Sequence, residues 1–342
     1  MSNTLVFVSC ADSGELHVLH MASETGQLRT EQVLALGGQL MPMALSPDGT
    51  RLYVVRRSDP LAVVTLAVDA RPGRAEVLSE AALPASMAHV ATDGTGRWLL
   101  TASYGSDLVA VQAIAPNGLV VAGSEAAVHA TGRHAHSALA SPGNRFVLAA
   151  SLGGGQLHRY RLDADTGALQ PTAPAVFTLP AGTGPRHLRF NARGDRVYVL
   201  GELDACVHVL AWDEDTGGLQ LLQSLPTVPP GFTGPAWGAD LHLSPDGQWL
   251  YTSERNSHTL AGFAVDAATG LLTLAGHWAT QMQPRGFAIT PDGRYLLAAG
   301  QLSHRVGVHR IAPASGALTQ VAEHDVGLNP NWISVLPMQS AG

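Results

Sequence analysis

Lysine is missing from the 342-residue chain; all 20 basic residues are arginine. That excludes lysine Schiff bases, lysine nucleophiles and the lysine of a Walker phosphate loop. Charge of any sign is sparse, 14% of residues against about a quarter in an ordinary domain. Little of the chain therefore reads as solvated helix or disordered tail. The net charge of −7 and the lack of any basic tract leave no electrostatic footprint for nucleic acid or an anionic membrane surface. Only two cysteines occur, Cys10 and Cys206. They lack metal-ligand or CxxC spacing and sit in apolar strand patterns, so they read as small buried hydrophobes. No apolar run reaches 18 residues, and residues 1–11 lack both a basic segment and a sustained apolar one ahead of Asp12 and Glu15. The expectation is a cytoplasmic chain with no membrane segment. Nucleophile-elbow, His-Glu-x-x-His, Gly-rich phosphate-loop and Cys/His zinc patterns are absent, so no metal and no cofactor are expected.

Glycine and proline are plentiful, 37 and 21 residues, as a chain of many tight turns requires. Their spacing is regular. A glycine or its stand-in precedes a short apolar run at Gly49, Gly96, Asn144, Gly194, Gly247 and Gly293. The steps are about 47, 48, 50, 53 and 46 residues, within the range of a four-stranded propeller blade. Turns such as Ser46-Pro47-Asp48-Gly49 and Ser244-Pro245-Asp246-Gly247 have proline preset and glycine free for positive φ. Runs such as Val197-Tyr198-Val199-Leu200 read as strands buried on both faces.

The first 30 residues lack the opening strand of the other copies, and Asn329-Pro330-Asn331-Trp332-Ile333-Ser334-Val335-Leu336 supplies one with nothing after it. Six internal copies and one composite make seven. The predicted fold is all-β: one seven-bladed β-propeller domain over 1–342, closed by pairing of its N- and C-terminal strands, with the seventh blade built from about 1–32 and 327–338. The longest step contains the Pro- and Gly-rich stretch 226–237, with Phe232 and Trp237, which reads either as a functional loop or as a surface excursion.

In a propeller the first strand of each blade lines the central channel. Eight and seven residues before the aligned position stand Met41/Pro42, Ala88/His89, His136/Ser137, Arg186/His187, Ala239/Asp240 and Arg285/Gly286, with Asn331/Trp332 as the seventh pair. Eight residues after it stand Arg57, Tyr104, Leu152, Glu202, Arg255 and Gln301. Because the two strands are antiparallel, both sets fall at one end of the channel. Arg57, Arg186, Arg255, Arg285, His136, His187, Glu202 and Gln301 should therefore face one funnel. Polar side chains solvate any wet channel, but four arginines around one glutamate repel one another unless an anion relieves them. An anionic ligand is the expectation. Strand alternation makes His134 and His136 co-facial and leaves His129 remote. His17, His20, His208, His304, His309 and His324 fall in outer strands or turns and read as surface residues.

Gly184-Pro185-Arg186-His187, Gly201-Glu202-Leu203, His242-Leu243-Ser244-Pro245-Asp246-Gly247, Gln283-Pro284-Arg285-Gly286-Phe287 and Ala299-Gly300-Gln301-Leu302-Ser303-His304 closely resemble the seven-bladed propeller lactonase family, in particular its bacterial 6-phosphogluconolactonases. The resemblance runs through the whole chain in order. It implies hydrolysis of 6-phospho-D-glucono-1,5-lactone to 6-phosphogluconate in the pentose phosphate pathway. The carboxymuconate cyclase branch of the same family implies a histidine, two arginines and a glutamate at the channel mouth, here His136, Arg186, Arg255 and Glu202. Two departures stand out: Gly201 replaces a common asparagine, and Asp240 stands where many relatives have glutamate, which puts a role for Asp240 in doubt.

The expected roles are phosphate binding by Arg285 with Arg57 or Arg255, oxyanion stabilisation by Arg186, and proton handling by Glu202 with His136 or His187; Gln301 joins the substrate-binding set. Arginines crowding Glu202 would weaken it as a base, in which case a histidine is the base and Glu202 orients its ring. Two other readings stay open: a lactonising or isomerising enzyme for carboxylated substrates or another sugar lactonase, and a non-catalytic propeller that binds an anionic partner. The expected partner is a small anionic sugar lactone, with the chain a monomer or weak homo-oligomer.

Overall fold

The computed structural model describes residues 3–71 and 73–338. Residues 1, 2, 72 and 339–342, including both ends of the 1–342 span, lie outside the described residues. Among those described there are 28 strands and no helix. The short apolar runs form strands because both their faces are covered: Phe146–Ser151 and Tyr295–Gly300 are buried along their whole length. Each run is started by a turn whose aligned residue has a left-handed backbone. Gly49, Gly96, Gly194, Gly247 and Gly293 have φ between 69° and 71°, and Asn144 has φ 56°. Asparagine tolerates that region better than other side-chain-bearing residues, and Asn144 also bonds Asp93 and the Gly94 N–H, at 2.9 and 2.8 Å.

The strands make seven four-stranded antiparallel sheets. Six are consecutive in sequence. The seventh runs Pro330–Pro337, Thr4–Cys10, Glu15–Met21, Leu28–Ala35, with Val6 opposite Val335 and Phe7 opposite Ser334. The last strand of the chain is thus the innermost strand of the blade that the first residues begin. Closure leaves no inner edge open for pairing. The innermost strands are Leu40–Leu45, His89–Thr92, Ala135–Ala140, Pro185–Phe190, Gly238–Leu243, Pro284–Ile289 and Pro330–Pro337, each touching the next around the ring.

The core lies between blades. Tyr198, Leu200, Val207 and Val209 of one sheet pack on Leu241, Leu250 and Phe263 of the next. The tyrosines of the repeat also fasten neighbours: Tyr53, Tyr198 and Tyr251 donate their hydroxyls to the carbonyls of Gly118, Gly270 and Gly316 in the following blade's outer hairpin, at 3.0, 2.9 and 2.8 Å. A buried ring brings apolar area, and its hydroxyl finds a partner. This packing corrects the reading of three outer histidines. His17, His208 and His309 are buried, because third strands are sandwiched between adjacent sheets. Of the cysteines, Cys10 is buried as expected and Cys206 is half-buried; both thiols are free and burial raises both pKa values.

Candidate active site

Two consecutive strand residues normally point to opposite faces, so a channel lined by both Arg186 and His187 needs a local exception. The inner strands supply one. Pairing passes from Pro185↔Gly201 to His187↔Leu200, leaving Arg186 in a bulge. The same slip leaves His136 unpaired between Ala135 and Ser137, Ala239 and Asp240 between Gly238 and Leu241, and Arg285 and Gly286 between Pro284 and Phe287. Bulges re-aim side chains, and here they occur at one level of the ring. Gly201, the departure noted above, sits across from this bulge. A Cβ there would collide with the Asp204 carboxylate and the Thr183 carbonyl.

Glu202 is the meeting point. Its Oε2 accepts from Arg186 Nε at 2.9 Å and from Arg255 Nη2 at 2.7 Å. Its Oε1 has no hydrogen-bond partner among the described residues, and the side chain is 13% exposed. Burial alone would raise the carboxyl, but Arg186 and Arg255 outweigh it and hold it below the ordinary glutamate value. Arg186 is 1% exposed, and its Nη1 donates to the Ala239 carbonyl. Arg255 stacks 3.9 Å over the ring of Trp237 and donates from Nε and Nη2 to the carbonyls of Trp237 and Gly238, at 3.2 and 3.0 Å. The stretch 226–237 therefore does reach the site, at its last residue.

Two guanidinium groups have no carboxylate. Arg57 donates to Ser86 Oγ at 3.1 Å and to Met41 Sδ at 2.9 Å, a weak acceptor. Half-buried Arg285 makes no hydrogen bond from its guanidinium among the described residues. Burial, then Arg186, Arg255 and Arg57, push the Arg285 pKa well below its usual value. Burial and Arg186 likewise bring Arg255 down to about 9. Arg186 and Arg255 thus share Glu202, Glu254 also acts on Arg255, and the imbalance is concentrated at Arg285 and Arg57.

The histidines separate. His136 is buried edge-on against Tyr104 and His187, with ring centroids 5.9 and 5.2 Å away. Burial, followed by Arg186 and His187, keeps it neutral by lowering its pKa well below 6.5. Its Nδ1 is buried without a partner. His187, expected to handle protons, is 1% exposed, with Nδ1 bonded to Asp240 and Arg186 Nη1 against its ring. Nδ1 lies 2.7 Å from Asp240 Oδ1, and Nε2 lies 3.2 Å from Arg186 Nη1. Burial keeps this ring from water, which argues against its expected proton-handling role. The structure corrects the idea that Glu202 orients a ring: the carboxylate on His187 is Asp240, whose other oxygen bonds His242 Nε2 at 3.1 Å. Burial would raise the Asp240 carboxyl, but His242 and His187 hold it well below the usual range. Counting from Gly194 and Gly247 puts His187 and Asp240 at equivalent positions in neighbouring blades, but their hydrogen bond shows only in the structure.

His134 and His136 flank Tyr104, the first stacked flat on it at 4.1 Å and the second edge-on; His129 lies apart against Tyr160. Gln301 makes no hydrogen bond to the arginines among the described residues. Its Nε2 bonds Asn329 Oδ1 at 2.7 Å, in the closing blade. The far end of the channel is a cavity of about 340 Å³ whose polar lining includes His89, Arg189, His242 and Trp332. Among the described residues no group of three or more His, Cys, Asp or Glu side chains converges as metal ligands, and no helix is long and apolar enough to cross a membrane.

The chain is 36% identical over 332 residues to a 6-phosphogluconolactonase of Serratia proteamaculans, covering 97% of this chain and 98% of that one. It is 36% identical over 335 residues to the enzyme of the same name from Pectobacterium carotovorum, covering 98% and 99%. The solved structure of a periplasmic gluconolactonase of Pseudomonas aeruginosa superposes with a TM-score of 0.91 at 27% identity, covering 99% of this chain and all of that one. The profile of the family described as lactonase, 7-bladed beta-propeller, matches residues 4–335, and the chain belongs to that family.

Proposed function

We propose that the protein hydrolyses 6-phospho-D-glucono-1,5-lactone to 6-phosphogluconate, as a step of the pentose phosphate pathway. Two full-length relatives carry that name. The observation that carries the choice of a phosphorylated substrate is Arg285, a guanidinium without an acceptor among three other arginines. Arginine binds phosphate bidentately and stays charged. Arg285 and Arg57 hold the phosphate. Arg186 Nη2 and Arg255 Nη1, neither of which makes a hydrogen bond among the described residues, face the oxyanion that forms when water adds to the lactone carbonyl. Glu202 Oε1 and His136 take the water proton and return one to the ring oxygen as its bond to the carbonyl carbon breaks. Binding a phosphate dianion raises the proton affinity of both groups, so substrate itself prepares them. Every group comes from one chain, which supports a site complete in a monomer or weak homo-oligomer, built in one domain over 1–342. A phosphorylated sugar lactone as substrate supports a cytoplasmic setting.

The test compares 6-phosphogluconolactone with unphosphorylated glucono-1,5-lactone, spontaneous hydrolysis subtracted. A charge-assisted hydrogen bond is worth about 1.5–3 kcal/mol, so Arg285→Ala should raise KM roughly 10- to 100-fold for the phosphorylated lactone and little for the other. Equal losses on both substrates would remove Arg285 from the phosphate site.

A further inference from the structure

The channel axis carries a second buried carboxylate that the proposed chemistry does not use. Arg186 and Arg189 feel its charge, and Arg57, Arg255 and Arg285 add to the cations of the channel, with Glu202 and Glu254 as the other carboxylates near them. Glu202 is neutralised by two arginines, whereas Asp240 makes no hydrogen bond to any guanidinium among the described residues. Its Oδ1 takes His187 Nδ1 at 2.7 Å and its own neighbour's Leu241 N–H at 2.9 Å, and its Oδ2 takes His242 Nε2 at 3.1 Å. The donors are imidazoles and a backbone amide, so its negative charge is not cancelled locally and acts on the guanidinium groups nearby.

The contacts run in series. A carboxylate at Nδ1 fixes the His187 tautomer with the proton on Nδ1. Arg186 Nη1 lies 3.2 Å from Nε2 and 3.4 Å from Nδ1, so it sits against the imidazole that Asp240 holds in place rather than on the line of one lone pair. Arg186 Nη1 also donates to the carbonyl of Ala239, the residue before Asp240. With its outer nitrogen held from below, Arg186 turns Nε to Glu202 Oε2 at 2.9 Å. A His187 ring released from Asp240 would be free to turn against Arg186 Nη1. Arg186 would have to move, and Glu202 with it.

We propose that Asp240 is a positioning residue for the hydrolytic site, aiming Glu202 through His187 and Arg186. The proposal rests on the lactonase reading for its kinetic consequence and on geometry alone for its structural one. Carboxylates that orient metal-bound histidines are worth roughly 10- to 100-fold in activity, and a loss of that order is expected here. Asp240→Ala should lose about that much in kcat, and Asp240→Asn, which keeps the shape, less. KM should stay within about twofold, since Arg285 and Arg57 are untouched.

The pH profile separates this from a merely structural role. Arg186, Arg255 and Arg285 face Glu202, and Arg186, His187, Arg285, Arg255 and Tyr104 surround His136. Removing the Asp240 charge leaves the field of Arg186 less opposed at both groups. The acid limb of kcat/KM should move to lower pH in Asp240→Asn, whereas simple loss of folded protein scales the profile without moving it.

The second measurement needs no activity. In ¹⁵N-histidine-labelled protein, His187 should show the Nδ1–H tautomer, and Asp240→Ala should abolish that preference. A folded Asp240→Ala or Asp240→Asn with kcat within twofold of the parent, a change confined to KM, or a His187 tautomer unchanged in Asp240→Ala each overturns the proposal. Were the unmodified protein inactive on the lactone, the functional reading would fall, and the tautomer measurement would still decide this one.

Discussion

At Glu202, desolvation and two guanidinium groups pull in opposite directions, and the guanidinium groups win. Removing the carboxylate should therefore do two things. Glu202→Gln should lower kcat by about 10²–10⁴, the usual worth of a proton-handling group. It should also destabilise the fold by about 3–5 kcal/mol, because Arg186 and Arg255 would remain buried without their counter-charge; thermal unfolding would show it. Activity loss with no change in Tm would mean that the arginines find other partners. A cleaner pH prediction comes from His309, buried outside the site with Nε2 2.9 Å from Thr280 Oγ1. Burial lowers its pKa from 6.5 to about 4. Between these values the unfolded chain binds a proton that the folded one does not. Stability from this group is thus present above pH 6.5 and falls as pH drops toward 4, by up to about 1.4 kcal/mol per pH unit. His309→Gln should flatten the acid side of a plot of unfolding free energy against pH, and an unchanged slope would show that His309 is protonated in the fold.

Elements place these residues by small irregularities. Seven plain inner strands would turn one of each adjacent pair, Arg186 or His187, into the sheet interface, and the bulges allow both to face the axis. A loop completes the arrangement. Glu254, buried beside Arg255, accepts Trp237 N–H on Oε1 at 2.7 Å and Ser257 N–H on Oε2 at 2.5 Å, which anchors Trp237 over the Arg255 guanidinium. A desolvated cation–π contact is worth about 2 kcal/mol, so Trp237→Leu should lower kcat/KM by roughly 10- to 30-fold; an unaffected enzyme would demote the loop to a surface excursion. The tyrosine fasteners act on stability instead. Tyr198→Phe leaves the Gly270 carbonyl unpaired and should cost about 1–2 kcal/mol in denaturant unfolding, with kcat unchanged.

For the whole molecule, closure is the decisive contact. Thr4–Cys10 lies between Glu15–Met21 and Pro330–Pro337, so removing residues 330–342 would expose a seven-residue, fully buried apolar strand as an edge. Such edges template aggregation. The truncated chain should elute as aggregate on gel filtration, and a stable soluble monomer would mean that the ring tolerates an open blade. Closure also explains Gln301. It occupies the slot of Glu202 and Arg255 in its own blade, and there its amide bonds Asn329 at the start of the closing blade's innermost strand.

The repeat period, the seven blades and the joining of chain ends were legible in the sequence, because each follows from local rules. A left-handed turn wants glycine or asparagine, a doubly buried strand wants Leu-Tyr-Val, and a strand missing at one end is matched by a spare at the other. Counting from Gly194 and Gly247 was enough to place Arg186, Glu202 and Arg255 at one level. Which partner each side chain takes was decided only by the tertiary structure. Whether Asp240 or Glu202 holds His187, whether Arg285 has an acceptor, and whether His309 is covered depend on distances between blades that no spacing along the chain encodes, and on how much water the packing of one sheet against the next leaves around each charge.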